Sequence, residues 1–145
     1  MTQLEENLSR LVGRRILSVS DSGYYQDNGE ASIAISFSDG TTLRADYWRL
    51  FEDGTARLSG FDHRQQYGLP APINAVAELR KALDGSQVTK VELDYESGDL
   101  VFCFDQSRKL QVLNFTGYEI WQITFPDGTV SYSNFVLTDI HRESD

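Results

Sequence analysis

Four carboxylates, Glu92, Asp94, Glu96 and Asp99, fall within eight positions of a 145-residue chain. The first three alternate with Val91, Leu93 and Tyr95, so an extended backbone places all three on one face, with Asp99 just past the turn that follows. Like charges at that spacing repel modestly and make a negative stripe, which attracts a cationic partner and speeds its docking. The competing reading is a solvated face whose charges keep an edge strand from pairing with other chains. A second candidate is the loop 21–30, which carries Tyr24 and Tyr25 beside Asp27 and Glu30. Tyrosine among Asp and Asn suits protein recognition. Tyrosines folded back over the sheet are the alternative.

Other chemistry finds little support in the residue order. His63 and His141 have no cysteine or second histidine at ligand spacing, so no metal is assigned. No nucleophile elbow, phosphate-binding Gly-Lys-Ser/Thr loop or dinucleotide fingerprint occurs, and no cofactor is expected. Asp27-Asn28-Gly29-Glu30 lacks the carboxylate ladder of a calcium loop and reads as a turn. Cys103, between Phe102 and Phe104, reads as a small buried hydrophobe. With 22 carboxylates some pair can always converge, but none stands in a recognisable catalytic context, so no catalytic residue is assigned.

The acidic stripe sits in a β-meander at 88–112, and the rest of the chain must position it. Thr2-Gln3-Leu4-Glu5 has capping-box spacing, and Leu4, Leu8, Leu11 and Val12 recur at helical spacing, so 3–12 reads as a helix ended by Gly13. Ile33, Ile35 and Phe37 alternate with Ala34 and Ser36, the pattern of a half-buried strand. At Ser38-Asp39-Gly40 parity selects the turn. A three-residue loop pairs Leu43 with Ile35 and Ala45 with Ile33, whereas a two-residue loop would put Leu43 on the polar face. At Pro126-Asp127-Gly128-Thr129 the same reasoning calls for an even-numbered loop, pairing Phe125 with Val130 and Ile123 with Tyr132. Trp48, Leu50 and Phe51 continue or bend the third strand. A second helix starts at Pro72, carries Ile73, Val76, Ala77, Arg80 and Leu83 on one face, and ends at Gly85.

The two halves resemble each other. Leu11, Gly13, Ile16 and Val19 match Leu83, Gly85, Val88 and Val91 at an offset of 72, and Ile33, Ile35, Phe37 and Leu43 match Leu100, Phe102, Phe104 and Leu110 at an offset of 67. The expectation is an α+β fold of two helix-plus-antiparallel-meander units, about 2–59 and 72–136, joined by a linker at about 60–71. The units would be an internal duplication sharing one core within a single domain, 1–145. One α+β domain with two similar hairpins built from common turn chemistry is the alternative.

Composition narrows the partners. Twenty-two Asp and Glu against 13 Lys and Arg leave a formal charge of -9, which disfavours sequence-independent binding to nucleic acid or anionic membrane. No apolar run approaches the roughly 20 residues of a membrane span, and the polar, acidic start is unlike a secretory signal. One cysteine rules out an intrachain disulfide and fits a cytoplasmic location.

Phe37-Ser38-Asp39-Gly40-Thr41-Thr42-Leu43, Tyr118-Glu119-Ile120-Trp121 and Pro126-Asp127-Gly128 together carry a resemblance to a group of small uncharacterised bacterial proteins with this hairpin and a late Tyr-Glu-x-Trp motif. The resemblance implies a bacterial source and a β-rich two-unit fold, and brings no catalytic residues. Many small acidic bacterial domains are immunity proteins that neutralise a basic toxin. The leading expectation is therefore a non-enzymatic protein-binding domain, an immunity-type inhibitor of a basic protein. The alternatives are a small-molecule binder or enzyme with a pocket between the two units, and a homodimer paired through exposed strands.

Overall fold

The computed structural model describes residues 2–23, 31–114 and 120–133. Among them the elements run α1 (Gln3–Ser9), β1 (Ile16–Asp21), β2 (Ile33–Phe37), β3 (Thr42–Ala45), β4 (Trp48–Glu52), β5 (Thr55–Ser59), α2 (Ala75–Leu83), β6 (Val88–Leu93), β7 (Leu100–Phe104), β8 (Arg108–Val112), β9 (Trp121–Thr124) and β10 (Val130–Tyr132). The fold is α+β, mostly β. Two five-stranded antiparallel sheets have the orders β1-β2-β3-β9-β10 and β5-β4-β8-β7-β6. The chain leaves the first sheet after Ala45 and enters the second at Trp48, and it makes the reverse passage between β8 and β9. Each sheet thus combines three strands from one half of the chain with two from the other.

Local chemistry accounts for most element ends. Thr2 accepts from the Glu5 N–H at 3.1 Å while Glu5 accepts from the Thr2 N–H at 3.2 Å, the reciprocal cap that the spacing predicts. The hairpin β2–β3 closes with the Phe37 N–H donating to Thr41 O at 2.9 Å, and pairs Ile35 with Leu43 and Ile33 with Ala45 as parity requires. The hairpin β9–β10 departs from the expected even loop. It also has a three-residue loop, closed by the Phe125 N–H on Thr129 O at 2.8 Å, so that Val130 pairs with Thr124 and Ser131 with Ile123. The reason is local. Asp127 accepts from the Thr129 N–H at 2.9 Å, as Asp39 does from the Thr41 N–H at 2.9 Å, and this turn outweighs the gain from turning Val130 and Tyr132 inward. Ser131 takes the buried position instead.

α2 begins at Ala75 rather than Pro72, because Asn74 caps it by accepting from the Ala77 N–H at 3.0 Å. Its buried face is Ala75, Val76, Leu79 and Leu83, while the Arg80 Nε–H reaches Val19 O at 2.8 Å. Residues 60–74 are tied down despite their lack of periodicity. Gly60–Asp62 form a 3-10 turn, and the Ile73 N–H donates to Gln65 O at 2.7 Å.

The inner faces of the sheets share one apolar cluster, in which the Phe37 ring stacks on Phe102 with centroids 6.0 Å apart. Trp48, Trp121, Ile33, Leu43, Leu50 and Phe102 are fully buried within it. Each aliphatic or phenyl side chain there contributes about 1.5–3 kcal/mol relative to exposure. Cys103 is not part of this core. It is half-buried on the outer face, because the alternation that turns Phe102 and Phe104 inward turns it outward.

Several contacts recur between the halves. The Gly13 N–H donates to Val88 O at 2.7 Å and the Gly85 N–H to Ile16 O at 3.0 Å. The Trp48 Nε1–H donates to Ala31 O at 2.6 Å and the Trp121 Nε1–H to Gly98 O at 2.8 Å.

Candidate functional site

β6 ends at Leu93, so Glu92 alone of the four stripe carboxylates stands on a strand, and Asp94, Glu96 and Asp99 belong to the turn that follows. This corrects the expectation of a stripe along one strand. A turn forms here because Asp94 folds back on its own backbone, its Oδ1 accepting from the Glu96 N–H at 2.9 Å and the Ser97 N–H at 3.3 Å. Asp99 is half-buried and accepts from the Asn114 N–H at 2.7 Å, which anchors the turn to the end of β8. Both carboxylates therefore shape the turn as well as charging it. Glu92 stands on the outer face with Lys90 at 2.7 Å, and this neighbour holds its carboxyl below the usual range while raising the lysine. Glu96 is exposed and has no ion pair among the described residues.

The structure adds a carboxylate that lies far away in sequence. The Tyr95 hydroxyl meets Thr2 Oγ1 at 2.6 Å, and hydrogen bonding to Tyr95 lowers the pKa of Glu5. The start of α1 thereby joins the turn, and Glu5 joins its negative charge. No signal within either segment announces this link, which is a tertiary contact between two polar side chains. Glu92, Asp94 and Asp99 border one depression of about 470 Å³, together with Val101 and Gln111. Tyr24, Tyr25, Asp27 and Glu30 lie outside the described residues.

The outer face of the second sheet continues from this depression. A groove of about 650 Å³ shares Glu92, Val101 and Gln111 with it and extends to Arg49, Phe51 and Lys109. The Arg49 guanidinium lies 5.1 Å from the centroid of the Phe51 ring and also donates to Gln111 Oε1. Alternation along β4 turns Arg49 and Phe51 outward, opposite the buried Trp48 and Leu50.

Two other constellations stand apart from this surface. A cleft of about 750 Å³ lies between the β4–β5 hairpin and α2, floored by Leu50, Leu58, Ile73 and Ala77. Its carboxylates already have partners within the chain: Glu52 with Arg108 at 3.7 Å, Glu78 with Lys81 at 3.4 Å, and Asp62 with the Ser59 N–H at 2.8 Å. On the first sheet Asp46 is 2% exposed, and burial raises its pKa. It accepts from the Ser32 hydroxyl at 2.8 Å, and Ser32 in turn accepts from the Ser22 hydroxyl at 2.6 Å. Arg44 Nε lies 3.5 Å from the Asp46 carboxylate. This chain of bonds ties down the base of the 21–30 loop. His63, placed in the linker by the sequence, accepts at Nδ1 from the Ala75 N–H at 3.1 Å and so helps to start α2.

No family model, no curated protein and no solved structure matches the chain.

Proposed function

We propose that the chain is a non-enzymatic protein-binding domain that takes a positively charged partner on the acidic turn between β6 and β7, in the manner of a bacterial immunity protein taking a basic toxin. The observation that carries the reading is the convergence of Glu92, Asp94 and Asp99 on one depression, with Glu96 in the same turn and Glu5 drawn in through Tyr95. A turn pinned at Asp94 and Asp99 presents its charges without ordering cost at the moment of docking, which favours fast electrostatic association. The chain's formal charge of -9 adds to the attraction at long range. The cleft beside α2 speaks for the small-molecule alternative. That reading ranks second, because the cleft's carboxylates are already engaged by neighbours.

The same proposal includes a bacterial cytoplasmic setting and a single domain built from two duplicated units. Support for the duplication comes from the matched glycine hydrogen bonds, whose partners stand 72 positions apart, and from the tryptophan acceptors Ala31 and Gly98, which stand 67 apart, while the tryptophans themselves are offset by 73. The test of function is capture on the immobilised chain from a bacterial lysate at low and at high salt. The proposal expects a basic protein that is retained at low salt and released at high salt. Retention of no basic protein at low salt would contradict it.

A further inference from the structure

The outer faces of the two sheets occupy the same place in the fold but carry different chemistry. On the first sheet one cross-strand row reads Ser18, Ser36, Thr42, Thr124, Val130. The row at the matching strand positions of the second sheet reads Lys90, Cys103, Lys109, Phe51, Ala56. Its neighbour reads Glu92, Val101, Gln111, Arg49, Ser59. The neighbouring row of the first sheet reads Ser20, Ala34, Arg44, Gln122, Tyr132, so the two outer rows hold one cation on the first sheet and three on the second. Lys109 and Arg49 are exposed, and neither has an ion pair among the described residues. In a chain of net charge -9, this face has more positive than negative groups.

The cationic groove and the acidic turn are contiguous, since the two depressions share Glu92, Val101 and Gln111. One surface therefore runs from negative at Asp94–Asp99 to positive at Arg49 and Lys109, with half-buried Val101 and Cys103 between. Such a surface is complementary to itself under a twofold rotation, the geometry in which residue i meets residue j and j meets i. We infer that a second copy of this chain docks on the outer face of the second sheet, each acidic turn lying on the partner copy's Arg49 and Lys109. A strand of nucleic acid fits less well. The Phe51 ring is already covered by Arg49, and the acidic turn at the end of the groove repels a continuous phosphate backbone. A cationic partner and a second copy would compete for the same turn. Self-association is read with no partner present, so either reading can fail alone.

The experiment is sedimentation equilibrium of the full chain, whose monomer mass is 16.4 kDa, at low salt. The expectation is a dimer that dissociates as salt shortens the screening length from about 30 Å at 0.01 M to about 3 Å at 1 M. Lys109→Glu and Arg49→Glu should each raise the dissociation constant at least tenfold. Adding Glu96→Lys to Lys109→Glu should recover most of that loss, and Thr42→Glu on the first sheet should leave it unchanged. Circular dichroism of each variant confirms that it is folded. A monomer at all concentrations up to about 1 mM, the weak limit of specific association, would overturn the inference. So would a Lys109→Glu variant that dimerises as the parent does, or a Thr42→Glu variant that disrupts it equally. Shift of the monomer by oligothymidylate in place of self-association would assign the face to nucleic acid instead.

Discussion

Gly98 closes the turn that carries the acidic groups, and replacing it with alanine gives a prediction whose size follows from geometry. Its φ is +80°, a conformation that costs an L-residue about 1–2 kcal/mol. A Cβ built there meets Asn114 Nδ2 at 2.6 Å, well inside contact distance. Asn114 must then swing away and give up the bond from Nδ2 to Ser97 O at 3.0 Å, a further loss of about 0.5–1.5 kcal/mol. Gly40 supplies the control, because its φ is +94° and a Cβ there meets nothing within 4 Å. Denaturant unfolding of Gly98→Ala and Gly40→Ala should show an unchanged slope for both, with a lower midpoint for Gly98→Ala that corresponds to about 1 kcal/mol of stability beyond the control. Asn114→Ala in the Gly98→Ala background should recover part of that excess through a measurable coupling. Equal midpoints for the two glycine variants would refute the rigid clasp between Asn114 and the turn, and with it the claim that the charges are held in place.

Three further predictions are independent of one another. Trp48→Phe and Trp121→Phe each strand one carbonyl, that of Ala31 or Gly98, so each should cost about 1–3 kcal/mol beyond the lost ring volume, and the two costs should be similar by calorimetry. Because burial raises the Asp46 pKa, the contribution of this group to stability is fully present below its ordinary value of 3.8 and is lost as pH rises through the folded value. Asp46→Asn should therefore be most favourable relative to the parent at neutral pH and should lose that advantage below 3.8, as read from unfolding midpoints across pH. Exchanging Lys90 and Glu92 for each other should leave the unfolding midpoint unchanged, because the pair is solvent-exposed.

Residue order made the short-range structure legible. The Thr2–Glu5 cap, the β2 alternation and the register at Gly40 all follow from groups a few positions apart, and parity decides them. At Pro126–Thr129 apolar parity yields to an aspartate that bonds its own turn, and the same Asp-Gly-Thr triplet builds the same three-residue loop at Asp39. The passage of Trp48 and Trp121 from one sheet to the other was not legible, since strand pattern does not say which sheet a strand joins. In the candidate site the charges of Glu92, Asp94, Glu96 and Asp99 were visible, but their division between strand and turn depended on Asp94 capping two backbone N–H groups. The pairing of Lys90 with Glu92 was legible, because residues two apart in a strand share a face. The link from Tyr95 to Thr2 spans 93 positions and had no local signal.

The most direct test of the binding claim compares the parent with a Glu92→Gln/Glu96→Gln variant, neither residue being one that caps the turn. Both are immobilised and challenged with the basic protein retained by the parent, at about 50 mM and about 200 mM salt, a range over which charge-driven binding weakens steeply. The account predicts strong binding to the parent at low salt, a marked loss at the higher salt, and weak binding to the variant at both. Equal binding to parent and variant would contradict it.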